Sequence, residues 1–295
     1  MVTGILPEIR IRSQEPAWFR VGKWMQSRKL GGFKIVRIGS NLFWPSSTGV
    51  QHSLTPEIQL TVPIGIRPFG QFEVMSYEDS MIQFVSDLVG NTTNPVTLID
   101  CGADFGLVSA RLLACNPKIT KILAFEPNAD AFPFLAHNTE LWPVEATAYP
   151  FAVADYVGQG EFNTPSFDKS AHAAFVTPSS SGALNVVTID SLGIEPPGTA
   201  LLKIDVEGAE QSVVKGAQQL LSSAADVVVI FEAHPGQETR VGIDPVEIVK
   251  MIQAIKPCRA MVTERPDLTV ETNRPFREQV ADDEIYNICV TSLAA

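Results

Sequence analysis

The chain has 295 residues, of which 45% are hydrophobic and 19% charged, a composition that supports a packed core and excludes a disordered chain. Its net charge of −11 excludes the broad basic footprint of a general nucleic-acid binder. No apolar run reaches the roughly 18 residues that a bilayer span demands.

The opening stretch, Met1–Arg10, lacks a basic region followed by an apolar one, so no secretory leader is expected. Cys101, Cys115, Cys258 and Cys289 are scattered and form no C-x-x-C pair. They read as reduced thiols of a cytoplasmic protein rather than as a disulfide frame or a metal site. Residues 1–75 form an N-terminal accessory segment, rich in proline and aromatics, with short strands expected at Lys34–Ile38 and Ile58–Val62. Between Pro16 and Pro56 there is no acid, while Arg20, Lys23, Arg28, Lys29, Lys34 and Arg37 alternate with Trp18, Phe19, Trp24, Phe33, Phe43 and Trp44. This basic aromatic stretch is expected to dock on the acidic remainder or on a second subunit. The alternative is recruitment of an anionic or glycan-bearing acceptor, including peripheral contact with a membrane surface.

From Ser76 onward, in the second domain (76–295), helix and strand patterns alternate. The spacing predicts a helix over Tyr77–Leu88, a strand over Pro95–Cys101, a helix over Gly106–Cys115 and a strand over Lys121–Glu126. A helix from about Asp130 to Leu141 accommodates Pro133 in its first turn. Ala146–Ala154 reads as a third core strand, and residues 156–189 as a β-hairpin with an inserted loop. Ala200–Asp205 and Asp226–Phe231 are apolar strands, and Glu207–Leu221 reads as one helix between them. Asp244-Pro245-Val246-Glu247 is a helix start with cap, proline and acid in place. Strands near Arg259–Thr263 and Ile285–Thr291 complete an α/β, doubly wound, mostly parallel sheet.

Ligands of such sheets bind at the carboxyl ends of the strands, and the chemistry-bearing residues collect there. Asp100-Cys101-Gly102-Ala103-Asp104-Phe105-Gly106 is a strand running into a glycine turn at a helix start. Glu126 ends the next strand, where one carboxylate can accept two hydrogen bonds from a ribose diol. The glycines do not follow the G-x-G-x-x-G spacing of dinucleotide binders, and Asp104 would place an anion where a pyrophosphate belongs. A cationic or zwitterionic nucleoside fits better, and S-adenosylmethionine is the obvious one. Asp155, after the third strand, is placed to accept from an adenine amino group; the bland reading is a turn aspartate.

Lys203-Ile204-Asp205-Val206-Glu207-Gly208-Ala209-Glu210 brings Asp205 to the same edge. Glu207 and Glu210, three apart, would share a helix face. His234 follows the fifth strand and can take a proton from a hydroxyl, with Asp205 as the other candidate base and Glu207 orienting the acceptor. Asp205, Glu232 and His234 follow no specific metal spacing, so no metal is expected. His52, His137 and His172 read as structural.

These residues resemble the FkbM-type family of S-adenosylmethionine-dependent methyltransferases. Four blocks between Leu98 and His234 carry the resemblance: Asp100–Gly106, Ala124-Phe125-Glu126-Pro127, Ala152-Val153-Ala154-Asp155 and Lys203–Glu210, with Lys215-Gly216-Ala217 and Glu232-x-His234 in support. It implies the class I methyltransferase, Rossmann-like fold and O-methylation of a hydroxyl on a sugar, glycan or natural product. It also implies a glycine loop (Gly102, Ala103, Asp104, Gly106) around the methionine portion, Glu126 on the ribose and Asp155 by the adenine; Asp100 and Asp205 are counted with these as cofactor-binding residues. One departure is Asp104, where the family usually has Asn. Two alternatives stand beside this reading: a nicotinamide-dependent oxidoreductase, and a nucleoside-binding protein without turnover.

Overall fold

The computed structural model describes residues 9–14, 47–64, 74–163, 175–195, 197–234, 242–280 and 284–294. The cations and aromatics singled out between Trp18 and Trp44, the strand expected at Lys34–Ile38, and His172 lie outside the described residues.

The core is an eight-stranded sheet in the order β14-β13-β15-β12-β11-β4-β5-β6. Its parallel half comprises β4 (Val96–Cys101), β5 (Ile119–Phe125), β6 (Glu145–Tyr149), β11 (Thr199–Ile204) and β12 (Asp226–Ala233). The strand β15 (Tyr286–Thr291) is inserted antiparallel between β12 and β13 (Arg259–Val262), so β13 again runs with the parallel set. The edge strand β14 (Arg265–Thr269) pairs antiparallel with β13. The sheet is thus doubly wound and mostly parallel. Alternate residues of the inner strands feed opposite faces: Ile99 and Cys101 go one way, Val96 and Leu98 the other. Both faces are covered, which is why these strands read as unbroken apolar runs.

One face carries α1 (Asp79–Gly90), α2 (Leu107–Cys115) and α3 (Phe132–Glu140), through Val85, Leu112 and Phe134. The other carries α4 (Glu210–Lys215), α5 (Gln218–Ser223) and α6 (Pro245–Ile255), through Val213, Leu221 and Val249. At the start of α6, Asp244 accepts from the Val246 N–H at 2.9 Å, as its sequence predicts.

Three boundaries differ from expectation. Ala146–Ala154 is not one strand. Pro150, which has no N–H to donate, divides β6 from β7 (Phe151–Val153), and β7 belongs to a second sheet. That sheet runs β7-β10-β8-β9 and adds β8 (Gly158–Asn163), β9 (Phe175–Pro178) and β10 (Leu184–Val187). Glu207–Leu221 is not one helix but the pair α4 and α5, parted at Gly216. A Cβ on Gly216 would lie 2.1 Å from the Ala154 carbonyl oxygen, so the break lets the chain pass against the end of β7. Asp190 completes the break by accepting from the N–H groups of Gln219 and Leu220 at 2.9 and 3.0 Å. The third is β14, whose Arg-Pro-Asp start gives no strand signal.

The described part of the accessory segment packs on the α1–α3 face. It contains β1 (Arg10–Arg12), β2 (Thr48–Ser53) and β3 (Gln59–Pro63), with Leu60 and Val62 fully buried. Asn138 of α3 ties it down. Its side chain accepts from the Thr61 N–H at 2.7 Å and donates to the carbonyls of Thr61 and Phe105 at 2.9 and 2.8 Å. One buried amide therefore connects the β2–β3 hairpin to the glycine turn.

Candidate active site at the strand ends

The register of four adjacent parallel strands sets up a row of residues. Phe125 pairs with Cys101, Cys101 with Ile204, and Ile204 with Phe231. One residue further along each strand stand Glu126, Gly102, Asp205 and Glu232, side by side. At roughly 4.8 Å per strand, the row spans about 14 Å. Glu232 is itself in register with Asn287 of β15.

The Glu126 end is built from backbone N–H groups. Gly102 and Ala103 both donate to the Phe125 carbonyl at 3.0 Å, which draws the turn over β5. The Glu126 carboxylate is buried at 8% exposure, with one oxygen accepting from the Asp104 N–H at 2.8 Å and the other from the Asn128 N–H at 2.7 Å. Three residues of the turn have left-handed backbones: Gly102, Asp104 and Gly106, at φ 82°, 50° and 90°. Asp is one of the few side chains that tolerate this conformation, so its presence at 104 is compatible with the turn.

At the middle of the row a buried lysine is held between two acids. Lys203, 6% exposed, sits 3.3 Å from Asp100 and 3.2 Å from Asp205. The other Asp100 oxygen accepts from Ser109 Oγ at 2.6 Å. Burial works against the Lys203 charge, but Asp100 and Asp205 outweigh it, and its pKa rises. Asp100 is wholly buried, with Lys203 and Ser109 on its carboxylate.

The Glu232 end collects groups that are distant in sequence. The Glu232 carboxyl is pushed up to about 7, first by burial and then by the charges of Asp205, Glu210 and Glu78, with Lys203 opposing. Burial likewise raises the pKa of Glu78, which accepts from the Asn287 side chain at 2.7 Å. Asn287 also donates to Glu264 through its backbone at 3.0 Å and its side chain at 3.0 Å. Tyr77 is partly exposed, yet burial of its hydroxyl end and the neighbouring Asp205 and Glu78 hold that hydroxyl protonated. Tyr77, Glu78, Glu264 and Asn287 carry no local sequence signal; the order of β12, β15 and β13 brings them together.

The remaining candidates separate. Glu207 and Glu210 do not share a helix face, because α4 begins only at Glu210 and Glu207 lies in a left-handed turn at φ 58°. Glu210 points inward at 3% exposure and accepts from the Gly208 N–H at 2.8 Å. Asp155 lies on the rim and forms a reciprocal pair with Ser212 of α4: its N–H donates to Ser212 Oγ at 3.0 Å, and Oγ donates back to its carboxylate at 2.7 Å. His234 follows β12 directly and is half-buried. Among the described residues no group of three or more His, Cys, Asp or Glu is arranged to hold a metal ion.

A model of the methyltransferase FkbM domain matches residues 100–260, more than half of the chain. The chain belongs to the FkbM methyltransferase family. A curated relative, the hexuronic acid methyltransferase AglP of Haloferax volcanii, is 30% identical over 165 residues. The alignment covers 54% of this chain and 62% of that relative's length. Among solved structures, the N-methyltransferase NodS of Bradyrhizobium japonicum aligns with a TM-score of 0.42 at 9% identity, covering 75% of this chain and 99% of that one. The precorrin-6y C5,15-methyltransferase of Geobacter metallireducens aligns with a TM-score of 0.38 at 12% identity, covering 73% and 89%. The donor set suits the family's cofactor. A pre-oriented carboxylate at Glu126 matches a ribose diol, while the acids along the row favour a sulfonium over a pyrophosphate.

Proposed function

We propose that this FkbM-family protein transfers a methyl group from S-adenosylmethionine to a hydroxyl of a sugar or glycan. The observation that carries the reading is the register-aligned row of Glu126, Gly102, Asp205 and Glu232. A ribose-type carboxylate stands at one end and a cluster of proton acceptors at the other. The relative AglP, by its name, acts on a hexuronic acid, which supports an acceptor of the sugar class.

When bound, S-adenosylmethionine supplies a methyl group already activated by its sulfonium. The protein's task is then alignment, and orientation alone can supply about 7–11 kcal/mol of the barrier. Glu126 accepts from the ribose hydroxyls, its two oxygens pre-oriented by the Asn128 and Asp104 N–H groups. The backbone of Gly102, Ala103, Asp104 and Gly106 lines the methionine portion, and Asp155 stands by the adenine, held by Ser212. Asp100 and Lys203 fix Asp205 at the centre of the row. The acceptor binds toward β12 and β15, where Glu207, Glu232 and His234 close the edge. A base typically adds about 10²–10⁴-fold, so alignment is the larger contribution.

Radiolabelled methyl transfer to a panel of hexuronides and neutral glycosides tests the reading. Label in a glycoside, abolished by Glu126→Ala, supports it. Adenosyl binding without transfer to any glycoside would contradict the sugar acceptor.

A further inference from the structure

We propose that Glu232, rather than Asp205, accepts the proton of the acceptor hydroxyl, so that the product is a methyl ether. This deepens the sugar-hydroxyl reading above and rests on it.

The first argument is position. Glu232 is the last member of the row, three strands from Glu126, on the side to which the reading above assigns the acceptor. The second is the state of its neighbours. Asp205 takes a hydrogen bond from Lys203, Glu78 and Glu264 share the amide of Asn287, and Glu210 is held by the Gly208 N–H. Asp100 is buried against Ser109 and Lys203. Among the described residues, no hydrogen-bond donor engages the Glu232 carboxylate; what surrounds it is charge.

The groups that face Glu232 are Asp205 and Lys203 from β11, Glu210 from α4, and Glu78 with Tyr77 from the entry to α1. Three anions against one cation, in a half-buried setting, give this carboxylate an unusual appetite for a proton. Its pKa of about 7 matches a base that works at neutral pH. Lys203 accounts for the division of labour, because it sits against Asp100 and Asp205 and only partly offsets the charges around Glu232. Tyr77, kept protonated by burial and by Asp205 and Glu78, is a hydrogen-bond donor to the acceptor and not a competing base.

The step balances without a further reactant. The acceptor oxygen forms its bond to the methyl carbon as the carbon–sulfur bond breaks, and that electron pair stays on sulfur. The hydroxyl proton passes to Glu232. A carboxylate acceptor would have no proton to give and would yield a methyl ester, and its charge would be repelled by Asp205 and Glu78.

Two readouts test the proposal. In protein labelled with ¹³C-glutamate and saturated with S-adenosylhomocysteine, one side-chain carboxyl signal should titrate near pH 7 and vanish in Glu232→Gln. A Glu232 signal that titrates below about pH 5.5 overturns the proposal, and this measurement needs no acceptor. In glycoside methylation, Glu232→Gln should lower kcat about 10²–10⁴-fold with S-adenosylhomocysteine affinity kept within threefold, and the label should survive alkali. Activity within threefold of the parent, or label released by alkali as methanol, also overturns it. Failure to bind S-adenosylhomocysteine would instead contradict the cofactor assignment. A blank glycoside panel with that ligand bound would contradict the acceptor class and leave the titration to decide on Glu232.

Discussion

The carbonyl oxygen of Asp205 occupies the space that a side chain on Gly102 would need: a Cβ there would lie 1.8 Å away. The Asp205 N–H in turn donates to the Cys101 carbonyl at 2.9 Å, so the ends of β4 and β11 are latched together just below the site. Gly102 is thus required twice, for this approach and for its φ of 82°.

Gly102→Ala is accordingly expected to part the two strand ends. Overpacking of this kind costs about 1–3 kcal/mol, and the obstacle here is backbone, which cannot rotate aside. Gly106→Ala should be milder, because its nearest obstacle is the tip of the Trp142 side chain at 3.0 Å. Thermal unfolding of the two variants should show the larger loss at position 102.

Lys203→Met should destabilise the fold strongly. It leaves the wholly buried Asp100 without its cation, and breaking a buried pair in this way costs about 3–5 kcal/mol. The double variant Lys203→Met with Asp100→Asn should recover part of the loss in denaturant unfolding.

The Glu232 carboxyl has a folded pKa above its unfolded value, so the folded state binds the extra proton between about pH 4.5 and 7. Its contribution to stability is present below that window and lost as pH rises through it. Glu232→Gln should therefore raise the melting temperature at pH 8 and change it little at pH 4. Equal effects at both pH values would contradict the assigned environment.

Asn138→Ala should loosen the β2–β3 hairpin and the glycine turn together. It orphans the Thr61 N–H and two carbonyls, at about 1–3 kcal/mol for each buried group left unsatisfied. Hydrogen exchange should speed up at Thr61 and across residues 102–106 in the same variant.

Much of this architecture is legible in the sequence because it is local. Apolar runs that end in Asp100, Glu126, Asp205 and Glu232 announce buried strands with a polar edge, and the positions of Gly102 and Gly106 announce the turn. What is not legible depends on register and strand order. Asn287 reaches Glu78 across 209 positions of sequence because β15 is inserted beside β12, and no local pattern encodes that meeting. Glu207 misled for the opposite reason. Its spacing from Glu210 is helical, but Gly208 at φ 106° lets the chain turn before the helix begins.

The central claim is that Glu126 and the turn facing it form an adenosyl site. Calorimetric titration of the protein with S-adenosylmethionine, S-adenosylhomocysteine and NAD, alongside Glu126→Ala, tests it most directly. The account predicts binding of both adenosyl ligands, silence with NAD, and adenosyl affinity weakened by about 1.5–3 kcal/mol in the variant, the worth of a charged hydrogen-bond acceptor. Binding of NAD with no response to either adenosyl ligand, or adenosyl affinity untouched by Glu126→Ala, would contradict it.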